Sequence, residues 1–191
     1  EDLQKIPLLT RKDLKKEANA LVNEERLLGD TRLLYHPVFT NGIGYLRLIF
    51  FVKDIPREYF PYIGVLKGCL GLLNTEHYQY GDLFNEMNLV TGGMAAVNNV
   101  YANVEDSDRF SVTLELKTKA LYENLGKAVE LMQEILFTSD FSDTKRLYEI
   151  LAEGKSRMQA QMISAGHSVA VGRALAGASV SGAVGEVLSG I

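Results

Sequence analysis

One cysteine, Cys69, stands in 191 residues, so neither a disulfide nor a zinc site built on two or four thiolates can form within the chain. A buried core thiol is its expected role. Basic residues hold no surplus: 20 Lys and Arg face 24 Asp and Glu for a net charge of -4. Only the run Arg11 to Lys16 concentrates them, which argues against a nucleic-acid partner. Long apolar runs are missing too. The longest, Leu46 to Val52, is interrupted by Arg47 and falls far short of the roughly 20 residues of a membrane helix. A soluble, cytoplasmic protein with no membrane partner is the expectation. No basic region with an apolar stretch follows Glu1-Asp2-Leu3, and that opening is not a natural start, so the chain reads as a piece of a longer polypeptide. What is present is ordinary for a folded domain: 47% hydrophobic and 23% charged residues, a balance that excludes a disordered chain.

Along the chain, Thr10-Arg-Lys-Asp13 has capping-box spacing and predicts a short polar helix from Lys12 to Leu21, with Leu14, Ala18 and Leu21 on one side. Gly29-Asp30 turns into a strand from Thr31 to His36 that Pro37 ends. After the Thr40-Asn41-Gly42 turn, Ile43 to Val52 is the strongest strand signal, and its two apolar faces predict a central strand. A helix follows from Asp54-Ile-Pro56 through Leu73, with Tyr62, Val65, Leu66, Cys69, Leu70 and Leu73 as its core stripe. A second spans Tyr80 to Asn88, and Gly92-Gly93 precedes a strand from Met94 to Asn103. Phe110, Val112, Leu114 and Leu116 alternate with polar residues, the half-buried strand pattern. This places Glu115 and Lys117 on a solvated face.

From Lys119 the period becomes helical, with Leu121, Leu125, Ala128, Val129, Met132, Ile135 and Leu136 in one stripe. Glu130, Gln133 and Glu134 fall on its outer face. Ser142-Asp143 caps a further helix with Leu147, Ile150, Leu151, Met158 and Met162 inward, and another spans Ser168 to Ala178. From Ser164 to Ile191, 17 of the residues are Gly, Ala or Ser, which suits either close helix packing or a mobile segment. The order predicts an α+β two-layer sandwich, a largely antiparallel sheet with helices packed on one face.

Chemistry-bearing patterns are few. Gly154-Lys155-Ser156 ends like a phosphate loop, but Glu149 stands where the first glycine belongs and the tripeptide lies mid-helix. Gly42-Ile-Gly44 lacks its third glycine, since Arg47 takes that place. His36, His77 and His167 are isolated, with no second ligand at i+4 spacing, and no G-x-S-x-G elbow exposes a serine. His77 is expected to be solvated, and His167 to cap or bridge helices. Tyr78 and Tyr80 flank a loop tip where they either pack over the helix below or meet a partner. No catalytic, cofactor-binding or metal-ligating residue is expected in the chain.

Several local patterns together resemble a known family: Tyr35-His36-Pro37-Val-Phe-Thr-Asn41-Gly42-Ile-Gly-Tyr45, the helix opening at Ile55-Pro56, Gly92-Gly93 before a strand, and Ile163-Ser-Ala-Gly166-His167-Ser168. They resemble the central associated domain of presequence-protease-type zinc metallopeptidases, in the pitrilysin and insulysin superfamily. The resemblance covers the whole chain. It implies four related α+β units in two hinged halves that close around an unstructured peptide. The first unit carries zinc on H-x-x-E-H, and this chain resembles the third. The motif's counterpart here is Val65-Leu-Lys-Gly68-Cys69, with no ligand and no catalytic glutamate. The implied division is a hinge or connector over 1–28 and one α+β domain over 29–191, cut short at its C-terminal end. The implied role is a non-catalytic chamber wall that packs on other domains of the same polypeptide. The alternative is a free-standing binding or dimerisation subunit of the same fold.

Overall fold

The structure is a computed structural model and describes residues 8–14, 16–17, 20–52, 54–106 and 109–189. Its contacts divide into two compact units, Glu1–Asn41 and Gly42–Ile191.

In the first unit, Thr10 and Asp13 close the predicted capping box: the Thr10 N–H and hydroxyl donate to Asp13 Oδ2 at 2.7 and 2.8 Å. The helix beyond it does not form in the described residues. A single 3-10 turn, Arg11–Asp13, ends at an extended Leu14. Lys16 and Glu17 lie in bends, while Lys15, Ala18 and Asn19 fall outside the described residues. Leu14 and Leu21 are exposed, so no buried face offsets the cost of nucleating so short a helix. A hairpin follows at residues 24–35, strand β1 (Glu24–Leu28) against β2 (Thr31–Tyr35). Gly29, at φ +61 in the two-residue loop, supplies the positive φ that such a turn wants first.

The second unit holds a three-stranded antiparallel sheet of β3 (Ile43–Phe51), β4 (Met94–Ala102) and β5 (Phe110–Leu121), in the order β3-β5-β4. β3 is therefore an edge of this sheet, and the alternating strand β5 is its centre. The Val52 N–H donates to the Val112 carbonyl and the Tyr122 N–H to the Gly42 carbonyl, each at 3.0 Å. With the register Leu48↔Leu116, these bonds fix the phase of the ladder. Even-numbered residues of β3 exchange bonds with β5, and the N–H groups of Ile43, Tyr45, Arg47, Ile49 and Phe51 point away from it.

Helices cover one face of the sheet, as expected. Helix α1 (Phe60–Cys69) follows a 3-10 turn at Arg57–Tyr59 and tolerates Pro61 in its first turn, where no N–H is needed. It stops short of the predicted Leu73, because Leu70 is extended and Gly71 takes φ +83. Its buried side is Phe60, Ile63 and Cys69, whereas Tyr62 and Val65 are exposed. The stripe read from the sequence was one residue out of phase over its first turns. Helix α2 (Tyr80–Val90) and helix α3 (Leu125–Phe137) close the main core, where Leu83 and Met87 meet Leu131, Met132 and Ile135 over Leu116. The strand runs on to Leu121, so Leu121 is not helical. A second cluster joins Val52, Phe60, Ile63 and Val112 to Leu188.

Helix α4 (Thr144–Ser164) starts at the predicted Asp143 cap, which accepts from the Arg146 N–H at 2.9 Å. Only its first turns are docked: Ile150 is buried against Cys69 and Leu73, while Leu151, Met158 and Met162 are exposed. The small-residue tail is helical through Ser189, as α5 (Gly166–Ala178) and α6 (Val180–Ser189), with Gly190 and Ile191 outside the described residues. Its glycines permit close approach, since a Cβ at Gly64 of α1 would sit 2.5 Å from the Leu188 carbonyl oxygen.

Candidate functional site

The segment to which the resemblance assigns the zinc motif lies on α1. Val65 and Gly68 have no donor atoms, and the Cys69 thiol is buried, with its pKa pushed up by that burial. A buried thiol facing the apolar Leu73 and Ile150 is a core residue rather than a ligand. These residues do not fit a zinc ion. Among the described residues no group of three or more His, Cys, Asp or Glu is placed to hold a metal. Gly154-Lys155-Ser156 sits inside α4, where the Ser156 hydroxyl donates to the Ala152 carbonyl at 3.0 Å. His167 is exposed near the start of α5, and His36 is exposed after β2.

Two polar clusters were not legible in the sequence. The first is on the sheet face turned away from the helices. Glu115, expected there as solvating surface, is 0% exposed. Its Oε1 accepts from the Thr113 hydroxyl at 2.7 Å and the Tyr101 hydroxyl at 2.8 Å, and the Arg47 guanidinium lies 3.5 Å from Oε2. Oε2 itself has no hydrogen-bond partner among the described residues. Burial alone would raise this carboxyl's pKa, but hydrogen bonds from Thr113, Asn99 and Tyr101 and the charge of Arg47 outweigh it and hold the pKa below its ordinary value. Burial and the bond to Glu115 raise the Tyr101 pKa in turn, so the phenol remains a donor. One residue of β3, two of β4 and two of β5 are thereby tied across the sheet. The arrangement orients the Thr113, Tyr101 and Arg47 side chains around one buried carboxylate.

The second cluster joins the loop before α2 to α3. Glu134, read as outward, accepts from the His77 N–H at 2.9 Å and meets His77 Nδ1 at 3.0 Å. Burial pushes the Glu134 carboxyl up, but the His77 N–H, Thr75, the His77 ring and Thr138 bring it down to about 2. The bond to Glu134 and its charge raise His77 above its ordinary 6.5. With Tyr78, Lys127, Glu130 and Leu131 the pair lines a shallow surface cleft of about 280 Å³. Tyr78 also packs on the core, and the Tyr80 ring lies beneath Arg146. The packed reading is seen for Tyr78, whereas Tyr80 remains 44% exposed. The signal missed was long-range: Glu115 finds its partners only once strand register is known, and Glu134 only once the 74–78 loop folds over α3.

The chain is similar over most or all of its length to several known proteins. Protein HypA of Clostridium perfringens is 34% identical over 191 residues, covering 100% of this chain and 20% of that protein. The mitochondrial presequence protease of Schizosaccharomyces pombe is 28% identical over 151 residues, 78% of this chain and 15% of that protein. Presequence protease 1 of Arabidopsis thaliana, chloroplastic/mitochondrial by name, is 23% identical over 191 residues, 100% and 18% respectively. The chain thus spans at most about a fifth of the relatives it matches. The two presequence proteases are organellar by name and lend the cytoplasmic expectation no support; no described helix is long and apolar enough to cross a membrane. The family model for the domain associated with peptidases of metallopeptidase family sixteen, subfamily C, matches residues 1–191, and the chain belongs to that family of peptidase-associated domains.

Proposed function

We propose that this chain is the non-catalytic associated unit of a zinc-dependent endopeptidase that degrades short unstructured peptides in an enclosed chamber. In this reading residues 1–28 connect it to the preceding half and residues 29–191 form part of the wall. The observation that carries it is the family match over residues 1–191 combined with the counterpart of the zinc motif, where Val65 and Gly68 offer no donor atom. Hydrolysis would then rest on a zinc site in another domain of the same polypeptide, and this unit would supply packing and enclosure.

The test uses the full-length polypeptide. A variant carrying Cys69→Ala, His77→Asn and His167→Asn should keep the zinc stoichiometry of the parent and cleave an unstructured peptide at an unchanged rate per folded molecule. Loss of bound zinc in that variant would place a ligand in this chain and overturn the reading. A full-length polypeptide that binds no zinc and cleaves nothing would favour the binding subunit instead.

A further inference from the structure

The outer edge of β3 is unpaired among the described residues. Five N–H groups, those of Ile43, Tyr45, Arg47, Ile49 and Phe51, point away from β5 by the phase of the ladder, and no described strand pairs with them. The strand is long and apolar, with Arg47 as its one charge. Such an edge is an aggregation hazard that folded proteins blunt with charge, proline or a cover. Both faces of β3 are also open: Leu48 and Phe50 on the helix side are 40% and 41% exposed, and Ile49 and Phe51 on the other are 43% and 64%. The opposite edge differs. β4 is interrupted by Asn98-Asn99 and packs against α1 and α6.

We infer that β3 is paired by an extended strand from a part of the same polypeptide outside residues 1–191, with apolar cover on both faces. Two observations choose this occupant over a transient one. A strand that is apolar on both faces is the pattern of a permanently buried strand, whereas a peptide that came and went would leave Leu48, Phe50, Ile49 and Phe51 wet between visits. The relatives reported above also carry at least about four times as much chain outside the matched region as within it, since the match covers 20% of one and less of the others. Arg47 remains anchored to Glu115 at 3.5 Å, so its side chain does not obstruct an added strand.

The inference rests on the chain being one part of a longer polypeptide, as proposed above. It is tested by residue-resolved amide exchange on that full-length polypeptide, with the inward amides of Gly44, Leu46, Leu48 and Phe50 as the internal reference. The outward amides at 43, 45, 47, 49 and 51 should be slowed at least about a hundredfold and fall within about tenfold of the inward set. That protection should not change with protein concentration or with added unstructured peptide. Fast exchange of the outward set would overturn the inference. Protection that grows with concentration would assign the edge to a second copy, and protection that needs added peptide would assign it to substrate; either also overturns it. Zinc content and peptide cleavage on the same preparation keep the two readings separate, because an active zinc peptidase with an open β3 edge defeats only this one.

Discussion

The guanidinium of Arg146 lies 3.9 Å above the centre of the Tyr80 ring, while its Nε donates to the Leu72 carbonyl at 3.0 Å. One side chain on the first turn of α4 thus holds both the start of α2 and the turn after α1. The planar fork allows both contacts at once. Arg146→Ala should cost about 2 kcal/mol, combining a partly desolvated cation–π contact with a lost charged hydrogen bond. Arg146→Lys should recover less than half of that, as read from urea unfolding. Equal stability of the two variants would mean that the stacking contributes nothing.

Glu115 supports a different expectation. Glu115→Gln keeps an acceptor for Thr113 and Tyr101 and should cost little, whereas Glu115→Leu leaves both hydroxyls and Arg47 without their partner. The leucine variant should lose about 2 to 3 kcal/mol, chiefly because the Thr113 and Tyr101 hydroxyls lose their acceptor, while the half-exposed Arg47 can turn to water. Little recovery with Glu115→Leu/Arg47→Met, read from urea unfolding, would bear this out, and recovery of most of the loss would instead make the unpaired cation the main cost.

The His77–Glu134 clasp fixes a pH window. Glu134 is lowered from 4.5 to about 2, so its contribution is full above 4.5 and is lost as pH falls toward 2. His77 is raised from 6.5, so its contribution is full below 6.5 and is lost as pH climbs through the raised value. Both act between about pH 4.5 and 6.5. Glu134→Gln should flatten the stability profile across the alkaline flank and remove the acid loss, which thermal unfolding over pH 3 to 9 would reveal. An unchanged alkaline flank in that variant would exclude the clasp as its source.

Gly64 and Leu188 make the fourth case. A methyl group at 64 would press on the Leu188 carbonyl oxygen at 2.5 Å, and that atom is backbone. Gly64→Ala should cost about 1 to 3 kcal/mol through overpacking and should expose α6 to proteolysis before the rest of the unit. Helix propensity alone would predict a gain from this substitution, so the sign of the effect decides between the two.

Local periodicity revealed what local residues decide. The alternation from Phe110 to Leu116 placed β5, the spacing around Met132 placed most of α3, and the Asp143 cap placed the start of α4. The hairpin strand β1 escaped because Glu24-Glu25-Arg26 reads as polar surface, and its support is cross-strand: Glu25 pairs with Arg32 at 2.6 Å and Arg26 lies over Tyr35. Glu115 was misassigned because alternation tells which face a residue takes but not what covers that face. The lack of donor side chains at Val65 and Gly68 was readable, since it needs no geometry. The two polar clusters were not, because both join residues far apart in sequence.

The central position of β5 also dictates an order of assembly. Pairing with β4 closes only the short 103–109 connection, whereas β3 reaches β5 across the whole of α1, α2 and β4. Loop closure of the first kind loses little chain entropy, and the second must await it. The β4–β5 hairpin should therefore form first, with α3 condensing on it and β3 arriving late. A ribosome releasing this chain holds β3 unpaired until the last residues of β5 have emerged, which leaves its apolar run a natural station for a chaperone.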